Sequence, residues 1–339
     1  MLVLGLETSC DDSAAAVLRD GRLVASVVSS QDRVHGPYGG VVPELAAREH
    51  LKNVLPVLDE TLRRADIDLE RVDGIAVTRG PGLVGSLLVG LSVAKGIALR
   101  HGTPLVGVHH LEGHLLAPNL DRDPDDPVRH PFLALIVSGG HSGLYLAQGP
   151  GRYACLGKTR DDAVGEAFDK VAKTLGLAYP GGPIIDRLAR DGNAKAIRFP
   201  RARLKHGRFD LSFSGFKTAV WQYVRDHAPS DDQLPDIAAS IQEALVDMLV
   251  ETTRDAVEAT EVERVVVSGG VSANRRLRQR MGELGDELGL EVLVPRPALC
   301  TDNAAMIALA GWPRLASGED DGLAIEAEAV LPLGPRWAG

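Results

Sequence analysis

Leu135-Ile136-Val137-Ser138-Gly139-Gly140-His141 has a counterpart further along the chain, Val265-Val266-Val267-Ser268-Gly269-Gly270-Val271. Each stretch reads as a buried strand that runs into Ser-Gly-Gly. Glycines directly after a strand let the backbone approach a ligand closely and turn N–H groups toward an anion. A single copy is more simply a tight turn. Two copies, with the polar turn Glu7–Ser13 after an early strand, predict a nucleotide held between two duplicated lobes.

Short apolar strands alternate with amphipathic helices along the whole chain, which is typical of an α/β protein. Neither Ser-Gly-Gly copy continues as a P-loop or a dinucleotide fingerprint. The predicted strands are Val3–Glu7, Ala14–Leu18, Leu23–Ser29, Val72–Thr78, Phe132–Ser138, Gly143–Ala147, Tyr153–Leu156 and Val265–Ser268. The predicted helices carry Leu51–Leu62, Val84–Leu99, Val164–Leu175 and Leu234–Thr260.

Length and composition indicate an ordinary globular chain. Its 339 residues exceed what one hydrophobic core usually organises, so two domains are expected. No apolar run is long enough to span a bilayer, and the N-terminus does not read as a secretory signal. The 3 cysteines are far apart and form no C-x-x-C. This usage predicts a reducing cytoplasmic location rather than a disulfide scaffold.

The net charge of -9 disfavours nucleic-acid binding by global attraction. Local basic clusters can override that total. One cluster runs from Lys195 to Arg208 and also carries Phe199 and Phe209, which suit a base or ribose contact. A second cluster comprises Arg275, Arg276, Arg278 and Arg280. Solvated helix faces are the plainer interpretation of such runs.

A pair of histidines is the strongest chemical signal outside the glycine loops. His110 and His114 are four positions apart, which on a helix places both rings on one face, within reach of a single metal ion. The alternative is an ordinary helix surface or a satisfied core pair. The zincin peptidase motif H-E-x-x-H is absent, because Leu111 follows His110. Glu112 would lie roughly 200 degrees around the helix and point away from the metal.

Several long motifs resemble the bacterial TsaD family, the tRNA adenosine threonylcarbamoyltransferases, once described as sialoglycoprotein endopeptidases. The resemblance extends nearly end to end. The motifs are Leu4-Gly5-Leu6-Glu7-Thr8-Ser9-Cys10-Asp11-Asp12, Gly39-Gly40-Val41-Val42-Pro43-Glu44-Leu45-Ala46, His109-His110-Leu111-Glu112-Gly113-His114 and Cys300-Thr301-Asp302-Asn303.

The resemblance implies an α/β fold of the actin, Hsp70 and sugar-kinase (ASKHA) type, with two duplicated mixed-sheet lobes and a nucleotide cleft between them. We expect the first lobe at residues 1–130 plus 302–339, including a returning C-terminal helix, and the second lobe at residues 131–301. The resemblance also implies one divalent metal ion per subunit, iron or zinc, bound by His110, His114 and Asp302. Two imidazoles and one carboxylate suit either metal.

The residues that the resemblance implies for substrate and nucleotide binding come from several loops. They are Ile136, Val137, Ser138, Gly139, Gly140, His141, Asp169, Gly182, Asp186, Gly269, Gly270 and Asn274. The implied reaction transfers a threonylcarbamoyl group from threonylcarbamoyl-AMP to the exocyclic amine of adenosine 37, in tRNAs that read codons beginning with A. Asp11 is the first candidate for the general base, with Asp12 and Glu7 as further catalytic candidates.

Two other enzyme classes remain as alternatives. A metallopeptidase lacks its general base here, and a small-molecule kinase of the same fold does not need a two-histidine metal site. A noncatalytic nucleotide-binding subunit is a third alternative. The resemblance implies tRNA as substrate, a related noncatalytic paralogue that forms a heterodimer through the N-terminal lobe, and a small ATPase subunit. We expect Arg198, Arg201, Arg203 and Lys205 to contribute to the tRNA path.

Overall fold

Two units, each built on its own five-stranded sheet, make up the computed structural model, which describes residues 1–204 and 206–338. Unit 1 comprises Met1–Val128 with Thr301–Leu333, and unit 2 comprises Arg129–Cys300 with the tail from Gly334. We expected this tail in the first lobe. In the structure, Arg336 forms an ion pair with Asp210 of unit 2, which explains where the tail lies.

The strands and helices account for most of the described residues. The strands are β1 (Leu2–Glu7), β2 (Asp12–Arg19), β3 (Arg22–Ser30), β4 (Gly74–Gly80), β5 (Leu105–His109), β6 (Phe132–Val137), β7 (Ser142–Gly149), β8 (Arg152–Lys158), β9 (Arg264–Ser268) and β10 (Glu291–Leu293). The helices are α1 (Asp32–His35), α2 (Pro43–Ala65), α3 (Val84–His101), α4 (His110–Leu116), α5 (Val164–Thr174), α6 (Gly181–Leu188), α7 (Ser214–His227), α8 (Leu234–Thr260), α9 (Arg275–Leu288) and α10 (Ala304–Ala316).

The two sheets share one topology. In unit 1 the strand order is β3-β2-β1-β4-β5, with the first three strands antiparallel and β1, β4 and β5 parallel. In unit 2 the order β8-β7-β6-β9-β10 repeats the same pattern of directions. The predicted duplication of mixed-sheet α/β domains is therefore confirmed. The repeated feature is the order and direction of the strands in the two sheets.

The two Ser-Gly-Gly copies do not mark the two lobes, so that part of the prediction is wrong. β6 and β9 are neighbouring parallel strands of one sheet, with Ile136 opposite Ser268. Parallel neighbours end at the same edge of a sheet, so both glycine loops leave unit 2 side by side. The equivalent loops of unit 1 follow β1 and β4, and neither contains Ser-Gly-Gly.

β1 is buried on both of its faces, because helices cover both sides of the sheet. Leu4 and Leu6 pack in a cluster with residues of α2 and α3, whereas Val3 packs in a cluster with α10. Gly5 permits the close approach of α10, since a Cβ at this position would lie 2.3 Å from the Ala304 carbonyl oxygen. Full burial explains why β1 reads as a nearly continuous apolar run.

The core of unit 2 holds several aromatic side chains, including Phe168, Phe213 and Phe216. Phe199 and Phe209 belong to this core, with exposures of only 3% and 5%. The expectation that they contact a base or ribose is therefore wrong. Among the described residues, no helix is both long enough and apolar enough to cross a membrane.

Candidate metal centre and nucleotide loops

The histidine motif lies where β5 passes into α4. His109 ends the strand and caps the helix, because its Nδ1 accepts a hydrogen bond from the Leu111 amide at 3.1 Å. Its Nε2 donates to the carbonyl oxygen of Leu331 at 2.9 Å. Burial lowers the pKa of His109 to about 4, so this ring is neutral and can accept the capping bond. The capping role of His109 was not predicted.

His110 and His114 converge on Asp302, which immediately precedes the cap of α10. The Nε2 atoms of His110 and His114 lie 3.6 Å and 3.0 Å from Asp302 Oδ1. One ligand atom from each of the three residues lies within 4.8 Å of the others. Both rings are buried, whereas Asp302 is 19% exposed. The structure thus brings together the three residues that were expected to bind metal.

A buried carboxylate is hydrogen-bonded to the first of these histidines. Glu7 ends β1, and its Oε2 accepts from His110 Nδ1 at 3.0 Å and from Thr78 Oγ1 at 2.6 Å. Glu7 Oε1 accepts from the Ser9 amide. With Nδ1 of His110 directed at Glu7, Nε2 of the same ring faces Asp302. Glu7 was predicted as a catalytic candidate, and its contacts are those of a ligand-orienting group.

Electrostatic coupling holds Glu7 and His110 in opposite charge states. Burial raises the pKa of Glu7, but His110 outweighs it and the net pKa is lowered. Burial lowers the pKa of His110, but Asp302 and Glu7 outweigh it and raise the pKa to about 9. In the chain as described, His110 therefore carries a proton on Nε2. A metal ion bound there takes the place of that proton.

The donor set fits a divalent transition metal. Two imidazole nitrogens and one carboxylate oxygen suit zinc or iron(II) better than magnesium, which prefers oxygen ligands. The carboxylate behind His110 is the usual support of a metal-binding histidine. Buried Nδ1 of His114 has no hydrogen-bond partner among the described residues, so its ring is held by packing and by Asp302.

Asp11 is the last residue of the turn between β1 and β2, and Asp12 begins β2. Burial raises the pKa of Asp11. Burial, Asp302 and Asp11 together raise the pKa of Asp12 to about 8. Asp12 therefore holds a proton at neutral pH, which makes it a poor base. Asp11 is half-buried, with a pKa shifted in the direction that favours proton acceptance.

In unit 2 the first glycine loop is a tight turn. The Ser138 amide donates to the His141 carbonyl oxygen at 2.7 Å, and the His141 amide donates to Ser138 Oγ at 3.0 Å. Gly139 and Gly140 are exposed beside it. In the second loop, Gly269 has φ +92°, and a Cβ there would lie 2.4 Å from the Val137 carbonyl oxygen. Glycine at this position thus lets the two loops lie against each other, with Gly270 next in the chain.

The other residues expected to bind nucleotide have structural partners in unit 2. Asp169 Oδ1 accepts from the Gly181 amide at 2.7 Å, next to Gly182 at the start of α6. Asp186 Oδ1 accepts from the Arg275 amide at 3.3 Å. Asn274 caps α9 through Leu277 and donates to Gln242 Oε1 at 2.7 Å. Ile136 and Val137 are buried inside β6, so they can reach a ligand only through the backbone.

The basic strip is partly neutralised by acidic residues of α8. Arg201 forms an ion pair with Asp247 at 2.8 Å, and Arg203 lies 3.4 Å from Glu251. Arg198 is exposed, and Lys205 lies outside the described residues. The second cluster is also paired, since Arg276 and Arg280 both contact Glu243. Among the described residues, each cluster is thus partly neutralised by neighbouring carboxylates.

Comparison with known proteins shows the family to which the chain belongs. Residues 22–309 match the family described as TsaD: tRNA N6-adenosine threonylcarbamoyltransferase. The chain belongs to this family. Its members are acyltransferases that modify tRNA, so the chain is a tRNA-modifying acyltransferase. The tRNA N6-adenosine threonylcarbamoyltransferase of Geobacter sp. (strain M21) is 55% identical over 335 residues, covering 98% of this chain and 97% of the relative.

Solved structures of more distant proteins share the fold. The activator of the 2-hydroxyisocaproyl-CoA dehydratase from Clostridium difficile has a TM-score of 0.56 at 17% identity, covering 94% of this chain and 97% of its own. The ROK hexokinase from Thermus thermophilus has a TM-score of 0.50 at 15% identity, covering 94% and 100%. The fold is therefore of the actin, Hsp70 and sugar-kinase class, as expected.

Removing any member of the triad should abolish tight metal binding. We expect His110→Ala, His114→Ala and Asp302→Ala each to weaken zinc affinity by about 100-fold or more, and Glu7→Gln by about 10- to 100-fold through the lost orientation of His110. Competition with a chromophoric chelator measures this affinity. His101→Ala removes a histidine from the end of α3 and should leave it unchanged. Wild-type affinity in the Asp302 variant would contradict the three-residue site.

Proposed function

We propose that this chain transfers the threonylcarbamoyl group from threonylcarbamoyl-AMP to the exocyclic amine of adenosine 37, in tRNAs that read codons beginning with A. The observation that carries the proposal is the convergence of His110, His114 and Asp302 in a chain of this family. Asp11 lies four residues after Glu7, the last residue of β1, so the candidate base and the carboxylate that contacts His110 belong to one short segment.

The triad would hold one iron or zinc ion, which supplies Lewis acidity toward a phosphate or carbonyl oxygen when bound. The protein's own contribution is to orient the ligands. Glu7 keeps the Nδ1 proton of His110, and His109 fixes the first turn of α4. Both contacts reduce the freedom of the ligands before any substrate binds.

Asp11 would take the proton that leaves the adenosine amine. A bond forms between this nitrogen and the carbamoyl carbon, and the bond from that carbon to the phosphate oxygen breaks, releasing AMP. The nitrogen loses one proton, which passes to the Asp11 carboxylate. Because the amine is a poor nucleophile, proton removal must accompany attack. The raised pKa of Asp11 brings its basicity closer to the working pH.

Unit 2 would bind the AMP part of the donor. The exposed amides of Gly139 and Gly140 suit a phosphate, as do Gly269 and Gly270 on the neighbouring strand end. Asp186 and Asp169 each accept a backbone hydrogen bond, and a carboxylate can accept several hydrogen bonds, including those of ribose hydroxyls. Ile136, Val137, Ser138, His141, Gly182 and Asn274 complete the proposed set.

The alternatives are less consistent with the site. A zincin peptidase needs a glutamate directly after the first histidine, and here Leu111 stands in that position. The glutamate that contacts His110 is Glu7, on the Nδ1 side of the ring. A small-molecule kinase shares the fold, but likeness to a hexokinase at 15% identity concerns the fold alone.

A heterodimer with a related protein of similar fold is supported by an exposed apolar surface on unit 1. Leu51 and Leu55 on α2 are 67% and 54% exposed, and Val84 and Leu88 on α3 are 53% and 52% exposed. The two residues of each pair are four positions apart, so they lie on the same face of their helix. The two helices also pack against each other. Exposed apolar patches of this kind mark interaction sites. We also propose a small ATPase subunit and a cytoplasmic setting.

The reaction can be tested by nucleoside analysis of tRNA. Wild-type protein with its partners, threonylcarbamoyl-AMP and unmodified tRNA transcript should produce threonylcarbamoyladenosine. Asp11→Asn should lower kcat by about 10²- to 10⁴-fold, with the Kd for the adenylate little changed, because only proton transfer is lost. Equal losses in kcat and affinity would make Asp11 a binding residue. Peptide cleavage that His110→Ala abolishes would instead support the peptidase.

The heterodimer surface can be tested by size-exclusion chromatography of co-expressed proteins. Leu51→Glu combined with Leu88→Glu should prevent co-elution with the partner, because each substitution would bury a charge in an apolar interface. Leu323→Glu is the matched control, since Leu323 is 44% exposed in the segment after α10, near the start of β5. Intact co-elution of the double variant would rule out this surface.

The tRNA path can be tested through the salt dependence of tRNA binding. Charge reversal at Arg198 and Arg203 should weaken binding and lower the slope of log K against log salt by about 1 for each phosphate that is no longer neutralised. Arg19→Glu in unit 1 serves as the control. An unchanged slope in the Arg198 and Arg203 variants would remove the strip from the path.

A further inference from the structure

Side chains from two helices form hydrogen bonds with one backbone carbonyl of the turn that carries Asp11. The Cys10 carbonyl oxygen accepts from His50 Nε2 at 3.0 Å and from Ser86 Oγ at 3.2 Å. His50 lies on α2 and Ser86 on α3, and both side chains are fully buried. Neither residue is among those expected from the sequence. The carbonyl that both contact belongs to the peptide bond leading into Asp11.

Further hydrogen bonds connect α3 and the residues just before it to Thr8 and Ser9 of the same turn. Thr8 Oγ1 donates to the Ser86 carbonyl oxygen at 2.8 Å and accepts from the Gly90 amide at 3.2 Å. The Ser9 carbonyl oxygen accepts from the Leu83 amide at 2.8 Å. A Cβ at Gly90 would lie 2.4 Å from Thr8 Oγ1, so the close approach of α3 depends on glycine there.

His50 has the tautomer that its hydrogen bond to the Cys10 carbonyl requires. Its Nδ1 lies 2.7 Å from Ser13 Oγ, a hydroxyl that can donate, which leaves the proton on Nε2 for the Cys10 carbonyl. Burial lowers the pKa of His50, which favours the neutral ring. The ring therefore bridges β2 and the turn with both nitrogens satisfied.

α2 also contains a buried hydrogen-bonding residue, Thr61, whose contacts are purely structural. Thr61 on α2 is fully buried, and its Oγ1 lies within 3.2 Å of the Ala15 carbonyl oxygen of β2 and 2.7 Å of the Val57 carbonyl oxygen. That contact fastens the helix to the sheet and does not involve the Asp11 turn. His50 and Ser86 differ because their shared partner is the turn itself.

We propose that His50 and Ser86 are positioning residues, which fix the Cys10 carbonyl and so hold the Asp11 carboxylate in place for proton transfer. The proposal rests on the proposed function, since it requires Asp11 to act in the reaction. Neither side chain needs to touch a substrate. Removal of either hydrogen bond leaves the peptide bond before Asp11 less firmly held, and a small displacement of a catalytic group is enough to slow a reaction strongly.

The test compares Ser86→Ala and His50→Ala with Thr61→Val, which also removes a buried hydrogen-bonding group from the same layer. The measurements are the single-turnover rate of tRNA modification by the complete assembly, the Kd for threonylcarbamoyl-AMP, bound zinc and the melting temperature. We expect Ser86→Ala and His50→Ala to lower the rate about tenfold or more, with adenylate affinity and zinc content retained. Thr61→Val should keep the wild-type rate even where its melting temperature falls.

His50→Gln provides the rescue, because its carboxamide can donate to the Cys10 carbonyl and accept from Ser13. It should recover most of the rate that His50→Ala loses. If His50→Ala does not fold, Ser86→Ala decides the outcome alone.

Wild-type rates in Ser86→Ala and His50→Ala would overturn the proposal, as would equal losses in Thr61→Val. Asp11→Asn in the same assay distinguishes failure of the positioning proposal from failure of the proposed role of Asp11. If Asp11→Asn is inactive while the positioning variants are fully active, the role of Asp11 stands and only the positioning role of His50 and Ser86 fails. If Asp11→Asn is fully active, the proton-transfer step of the proposed function fails as well.

Discussion

The parallel alignment of β1, β4 and β5 is the constraint on which the candidate metal centre depends. Parallel neighbours end at the same sheet edge, so Glu7 at the end of β1, Thr78 in β4 and His110 after β5 come together although they are far apart in sequence. The hydrogen bond between Glu7 and His110 joins residues 103 positions apart. α10 then returns across the same sheet, with Gly5 permitting its approach, and presents Asp302 from its N-terminal side.

Four carboxylates near the candidate metal centre influence one another's pKa values. Glu7, Asp11, Asp12 and Asp302 all lie in unit 1, and the charge of Asp302 contributes to the pKa shift of every other member of this group. Partial burial concentrates the effect, because charges interact more strongly away from water. A divalent cation at the triad would reverse the sign of the potential that Asp302 projects onto its neighbours. Metal binding and the protonation of these carboxylates are therefore linked.

Much of the fold could be predicted from the sequence, because strand and helix periodicities are local signals. The strands from Val3 to Ser29 and the long helix from Leu234 to Thr260 are confirmed within one or two residues. β5 was missed, since its five residues are short and end in the histidine motif. The meaning of the two Ser-Gly-Gly copies was misjudged, because sequence similarity does not distinguish adjacent strands of one sheet from equivalent strands of two sheets.

The candidate site was predictable only in part. The spacing of His110 and His114 indicates a shared face, but Asp302 came from family resemblance, since nothing local links it to residues nearly two hundred positions earlier. The contacts of Glu7, His50 and Ser86 depend on how helices pack against a strand end, which no local pattern encodes. Phe199 and Phe209 show the opposite error: basic neighbours suggested a surface, and tertiary packing placed both rings in the core.

Equivalent positions in the two sheets have acquired opposite chemistry. The turn after β6 is short, rich in glycine and closed by its own hydrogen bonds, with Gly139 and Gly140 exposed. The turn after β1 carries carboxylates, and its carbonyls are bound by α2 and α3. The same two helices carry Leu51, Leu55, Val84 and Leu88 on their outer faces. The proposed positioning of Asp11 therefore depends on the packing of α2 against α3, because the Cys10 carbonyl is bound by one side chain from each helix.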